Sequence, residues 1–133
     1  MDRFSHLKAY VVDDDEVELF LIQRIIKLKQ LAENVEVYRN GTELIEALKH
    51  AVVKPDYILL NYRMGSENGL KVLKTCQNLH LKRPNASPYF ILTSSTIDLS
   101  DLEEIMKDDN IDGFLYKPLV AKKLRERLSP LFE

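Results

Sequence analysis

Two hydrophobic periods alternate along this chain. Short runs rich in β-branched and aromatic residues occur at 7–12, 35–38, 56–60, 89–93 and 113–116, and each is followed by a longer stretch with helical spacing. That alternation predicts successive βα units. The first helix is expected to begin near Glu16, with Val17, Leu21, Ile25 and Leu28 at i, i+4, i+8 and i+11 forming a core-facing stripe that Phe20, Ile22 and Ile26 widen. Asn40-Gly41 punctuates the chain before a second helix over 42–50, with Leu44, Ile45 and Leu48 apolar, and Pro55 ends the connection that follows. A third helix is predicted over 70–79, with Leu70, Leu73 and Cys76 or Gln77 along one side, and the two prolines within 82–88 mark a loop. Ser100-Asp101-Leu102-Glu103 has the capping-box spacing and predicts the start of a fourth helix whose inner face is Leu102, Ile105 and Met106. Pro118 ends the fifth strand, and 119–128 forms a basic last helix before Pro130.

Five strands alternating with five helices imply an α/β fold, a parallel sheet covered on both faces. Right-handed crossovers and the chain length favour a flavodoxin-like doubly wound five-stranded sheet of order 2-1-3-4-5, with its site beyond the carboxyl ends of the strands. The 133 residues are read as a single domain, 1–133. Charge narrows the function classes further. With 19 Lys+Arg against 21 Asp+Glu, the formal net charge is −2, which gives no global attraction to nucleic acid or anionic lipid. The lone Cys76 cannot form an internal disulfide and no thiol pair suggests zinc. The N-terminus is polar, and apolar runs stop after about four residues where a membrane span needs roughly 20. The expectation is a cytoplasmic protein without nucleic-acid or membrane partners.

Chemistry gathers at the predicted strand ends. The first strand ends in Asp13-Asp14-Asp15, the third in Asn61, the fourth in Thr93-Ser94 and the fifth in Lys117-Pro118. Adjacent carboxylates repel unless a positive group sits among them, although acids in a first helical turn are also favoured by the helix dipole. Carboxylate and amide oxygens suit Mg²⁺, while a hydroxyl and an ammonium can hold phosphate oxygens. His6, His50 and His80 fall in a tail and near two helix ends, away from this edge.

Taken in this order, the residues resemble the receiver domain of two-component response regulators of the single-domain, chemotaxis type, over essentially the whole chain. Val11-Val12-Asp13-Asp14 is similar to the family's acidic pair that organises the divalent metal. Thr93 matches the switch hydroxyl, Phe114 the switch aromatic, and Lys117-Pro118 the lysine followed by a cis-proline. Asn61-Tyr62-Arg63-Met64, continuing to Asn68-Gly69, matches the segment that carries the phosphoacceptor. The resemblance implies a metal site of Asp13, Asp14, Asn61 and the Arg63 backbone carbonyl, and phosphate contacts from Thr93 and Lys117. Its implied partners are a histidine kinase or phosphotransfer protein and an output protein.

Two positions depart from that pattern: Asn61 stands where the family places its aspartate nucleophile, and Gly65 where proline usually follows the methionine. An amide oxygen is neutral and a poor nucleophile. The metal set also loses one unit of charge, worth roughly 4 kcal/mol at about 4 Å and an effective dielectric near 20, so Mg²⁺ is expected to bind weakly or not at all. The reading is a non-enzymatic signalling module in a phosphorelay pathway. It is expected to be a stand-alone pseudo-receiver that acts through protein–protein binding without aspartyl phosphorylation. A basic patch of Lys107, Tyr116, Lys122, Lys123 and Arg127 and the apolar surface of the first helix are its candidate contact faces. The alternative is a phosphoaccepting single-domain regulator whose acceptor aspartate has been substituted. A minor alternative treats Asp13 and Asp15 as nucleophile and acid of a haloacid-dehalogenase-like phosphatase, with Ser94 and Lys117 holding phosphate.

Overall fold

A computed structural model describes residues 3–132. The chain runs β1 (Lys8–Val12), α1 (Glu16–Leu28), β2 (Asn34–Tyr38), α2 (Gly41–His50), β3 (Tyr57–Asn61), a small hairpin of β4 (Arg63–Met64) and β5 (Glu67–Asn68), then α3 (Gly69–Asn78). It continues through β6 (Tyr89–Ser94), α4 (Leu99–Met106), β7 (Gly113–Tyr116) and α5 (Ala121–Leu128), and a 3-10 turn at Ser129–Leu131 follows. The main sheet has the order β2-β1-β3-β6-β7 with every pairing parallel. Counted over its own five strands this is the 2-1-3-4-5 order expected of a doubly wound sheet.

Strand period divides the core in two. Ala9, Val11, Tyr57, Leu59, Ile91 and Leu115 point to one face, where they meet Leu19, Ile22 and Ile26 of α1 and Leu124 and Leu128 of α5. Tyr10, Val12, Ile58, Leu60, Phe90 and Leu92 point to the other, against Leu44 and Leu48 of α2, Leu70, Leu73 and Cys76 of α3, and Ile105 of α4. β3 is buried along its whole length, as its continuous apolar run requires of a central parallel strand.

The expected stripe on α1 is corrected. Leu19, Ile22 and Ile26 face the core, with Ile25 partly buried, whereas Val17, Phe20, Leu21 and Leu28 lie 47–68% exposed. Apolar residues surround most of this helix, so periodicity alone admits more than one inner face. The start decides: the Asp15 side chain accepts from the N–H groups of Val17 and Glu18, and the short link from β1 then turns Leu19 inward.

The start of α4 is corrected too. Its cap is Asp98, whose carboxylate accepts from the Asp101 N–H and the Ser100 hydroxyl, so the helix begins before the expected Ser100 cap. Met106, expected inside, closes the last turn at 78% exposure, and Ile105 is the buried residue. In α3 the inward position falls to Cys76 rather than Gln77. The β4–β5 hairpin was not foreseen. Gly65 supplies its turn at φ 61, with Met64 paired to Glu67, the Gly-X pattern of a tight two-residue loop. Lys117–Pro118 is cis, as the resemblance implied, and so is Ser87–Pro88.

Candidate functional site: an acidic cleft at the carboxyl edge of the sheet

The two-residue period that builds the core also assembles the site. Asp13 continues the series Ala9, Val11; Asn61 continues Tyr57, Leu59; Thr93 follows Ile91; Lys117 follows Leu115. All four are thus carried to the α1–α5 face at the carboxyl edge of adjacent strands. Asn61 and Thr93 stand in register, and the Tyr62 N–H donates to the Thr93 carbonyl at 2.7 Å.

Asp13 is the centre of the arrangement. Its side chain is 1% exposed, and its carboxylate has a partner on every side. Lys117 Nζ donates to Oδ2 at 2.5 Å, the Asp15 N–H donates to Oδ1 at 3.0 Å, and Asn61 Nδ2 donates to Oδ1 at 3.3 Å. Desolvation by burial pushes the Asp13 carboxyl above its ordinary value, and the negative charge of Asp14 adds to this. The Lys117 and Asp15 donors pull it back in part.

Asn61 Nδ2 makes a second bond, donating to the Arg63 backbone carbonyl at 2.6 Å. The amide nitrogen therefore lies between two of the oxygens assigned above to a metal. A reversed amide would set its oxygen against a carboxylate and a carbonyl, which fixes the orientation. The loop that delivers Arg63 is held by a close backbone approach: the Gly69 N–H donates to the Tyr62 carbonyl at 2.6 Å, where α3 begins.

Around this centre lies a cleft of about 410 Å³ bounded by Asp14, Asp15, Glu18, Ser95, Lys117 and Pro118. Asp14 is exposed at its mouth. Ser95 and Glu18 were not foreseen as wall residues. Ser95 follows the strand that supplies Thr93, and Glu18 lies one helical turn beyond the acidic run, so both were within reach of helix and strand spacing.

Other residues singled out from the sequence lie outside the cleft. Phe114 points to the opposite face and stacks edge-to-face on Tyr116, ring centroids 4.9 Å apart. The Arg63 guanidinium turns outward, over the Tyr62 ring and onto Asp101 at 3.1 Å. The dehalogenase-like constellation is not assembled: the Asp15 carboxylate caps α1, and the Ser94 hydroxyl donates to the Thr96 carbonyl at 2.6 Å. His50 pairs with Glu46 on α2, and His6 and His80 are exposed elsewhere. Among the described residues, no group of three or more His, Cys, Asp or Glu side chains is placed to hold a metal ion. None of their helices is long and apolar enough to cross a membrane.

A doubly wound sheet with acids, an amide, a hydroxyl and a lysine at its carboxyl edge defines a receiver-type α/β domain. Sequence comparison agrees: residues 9–129 match the response regulator receiver domain, and the chain belongs to that family. It is similar to the protein-glutamate methylesterase/protein-glutamine glutaminase of Clostridium acetobutylicum, 28% identical over 92% of this chain and 34% of that protein. It is also similar to the luminescence regulatory protein LuxO of Vibrio campbellii, 32% identical over 74% of this chain and 20% of that one. The chain thus spans about a third or less of the length of these relatives. Among solved structures, a response regulator receiver protein from Dyadobacter fermentans superposes with a TM-score of 0.80 at 27% identity, covering 96% of this chain and 98% of that one. A two-component response regulator from Cytophaga hutchinsonii gives 0.80 at 23% identity, covering 93% and 95%.

Proposed function

We propose that this receiver domain is a pseudo-receiver, a two-component signalling module that works by binding protein partners and takes no phosphoryl group. The observation that carries the reading is the Asn61 amide nitrogen, bonded at once to Asp13 Oδ1 and the Arg63 carbonyl. In receiver domains the acceptor carboxylate attacks a phosphoryl donor with a divalent metal beside it. At Asn61 the group in that position is neutral and its inward atom is a donor. That nitrogen can neither attack phosphorus nor ligate a cation.

The residues as arranged do not fit Mg²⁺. Asp13 Oδ2 is held by Lys117, Oδ1 and the Arg63 carbonyl are held by the amide, and of Asp13, Asp14, Asn61 and the Arg63 carbonyl Asp14 alone offers a carboxylate without such a partner among the described residues. Thr93 and Lys117 keep the positions in which family members contact phosphate, but here Lys117 serves as the counter-charge of Asp13.

Partner binding falls to the surface of α4, β7 and α5. Lys107, Lys122, Lys123 and Arg127 supply positive charge there. A groove of about 490 Å³ between Leu102, Ile105, Met106, Phe114, Tyr116 and Arg127 supplies an apolar seat. A histidine kinase or phosphotransfer protein and an output protein are the expected partners.

One observation favours a second reading, a phosphoaccepting regulator with its acceptor substituted: Asp13, Thr93 and Lys117 all remain assembled around position 61. Intact-mass measurement after treatment with a small acyl phosphate and Mg²⁺ tests both. The protein as it stands should gain no mass, and labelling of it would overturn the pseudo-receiver reading. Asn61→Asp should acquire one base-labile phosphoryl group if only the acceptor is missing. Its failure to do so would exclude the second reading.

A further inference from the structure

The solvent side of α1 is apolar where a helix on a soluble domain is ordinarily polar. Val17, Phe20, Leu21 and Leu28 lie there at 65, 58, 47 and 68% exposure, with Arg24 among them and its guanidinium over the Phe20 ring. Phe20, Gln23, Arg24 and Lys27, at i, i+3, i+4 and i+7, surround a groove of about 320 Å³ that Leu28 closes. Four residues at that spacing form the hole that a side chain of a facing helix enters.

The flanking charges are ordered by height along the helix. Glu16 and Glu18 stand at the amino end, Lys27 and Lys29 at the carboxyl end. Glu16 pairs with Arg39 at 2.5 Å, while Glu18, Lys27 and Lys29 make no ion pair on their own chain among the described residues. A partner of uniform charge would be repelled at one end of this face. A second copy laid antiparallel would not.

We infer that α1 is a contact between two copies of this chain, packed antiparallel about a two-fold axis level with Ile22 and Gln23. Val17 of each copy then meets Leu28 of the other, Leu21 meets Arg24, and Glu16 and Glu18 lie level with Lys27 and Lys29. Each contact occurs twice, as a two-fold interface requires. The face is one helix about 20 Å long, smaller than a standard stable interface, so the dimer is reversible and concentration-dependent. The inference is independent of whether position 61 can be phosphorylated.

Sedimentation velocity on the full chain tests it. The mass should move from one chain to two as the concentration rises from low micromolar to near millimolar. Leu21→Lys, which sets a like charge against Arg24 of the other copy, and, separately, Leu28→Glu should abolish that shift while leaving the thermal melt unchanged, because both side chains are exposed. Glu18→Lys should weaken dimerisation on the order of tenfold, and adding Lys29→Glu, on the same flank of the helix, to the same chain should restore it. A protein that stays monomeric throughout would overturn the inference. So would a dimer indifferent to Leu21→Lys and Leu28→Glu, or a charge swap without recovery.

Discussion

Lys117 brings its positive charge to within 2.5 Å of a carboxylate that is 1% exposed, and Asp13 would be left buried and unpaired without it. Lys117→Met should therefore cost roughly 3–5 kcal/mol of stability, the range for removing one member of a buried pair. The sign of the pH dependence follows from Asp13. Burial raises its folded-state pKa, so the native chain keeps the proton to higher pH than the unfolded chain. The associated stability is fully present below the unfolded value and is lost as pH rises through the folded one. Without Lys117 the folded value climbs further. The penalty of Lys117→Met should then be largest near neutral pH and fade in acid, where Asp13 is protonated in both proteins. Urea denaturation across that range checks it, and a penalty independent of pH would contradict this account. Asp13, Asn61, Thr93 and Lys117 were legible in the sequence because each ends a β-run, and strand period sends them to one face. The inward donor of Asn61 was not legible. It depends on the Arg63 carbonyl, which a hairpin turning at Gly65 presents, and no periodicity encodes that bond.

Among the elements, the five strands of the main sheet were readable almost to the residue, because the buried central ones are short apolar runs between polar breaks and the edge strand β2 alternates apolar with polar. α1 was not, because its sequence is apolar nearly all round and the inner face is chosen by the Asp15 cap. α4 began two residues from its expected cap because Asp98 and Ser100 both offer capping oxygens, and the carboxylate of Asp98 is the one used. The junction of β3 and α3 depends on a contact invisible to patterning. A Cβ at Gly69 would lie 2.8 Å from the Asn61 carbonyl oxygen and 3.1 Å from the Tyr62 Cα, both backbone atoms that cannot swing aside. Alanine in a helix is intrinsically better than glycine by about 1 kcal/mol, yet Gly69→Ala should destabilise by about 1–3 kcal/mol as overpacking does. It should also shift the NMR signals of the Asn61 side-chain amide, since the strand end must move. A variant as stable as the parent, with that amide unmoved, would show that the α3 junction does not position the site.

Across the whole molecule, the sheet carries a charged pair in its interior at each end. At the carboxyl edge it is Asp13 with Lys117; near the amino ends of β6 and β7 it is Lys82 with Asp112. The Lys82 side chain is fully buried, donating to Asp112 Oδ2 at 2.8 Å and to the Ala86 carbonyl at 2.7 Å. Asp112 Oδ2 also accepts the Phe90 N–H at 2.9 Å, so one carboxylate joins the loop before β6, the start of β6 and the entry into β7. The sequence showed Lys82 only as the start of a proline-bearing loop. Its partner lies 30 residues further on, beyond the reach of local pattern. Lys82→Met should cost roughly 3–5 kcal/mol through the unpaired Asp112, and Asp112→Asn in the same chain should recover part of that loss. β6 separates the two pairs by about 20 Å at ~3.3 Å per residue, with no shared partner. The penalties of Lys82→Met and Lys117→Met should therefore add to within about 0.5 kcal/mol. Chemical denaturation of both single variants and the double variant measures the coupling. A clearly non-additive result would mean that the two ends communicate through β6 and β7, and that the acidic cleft senses the far side of the sheet.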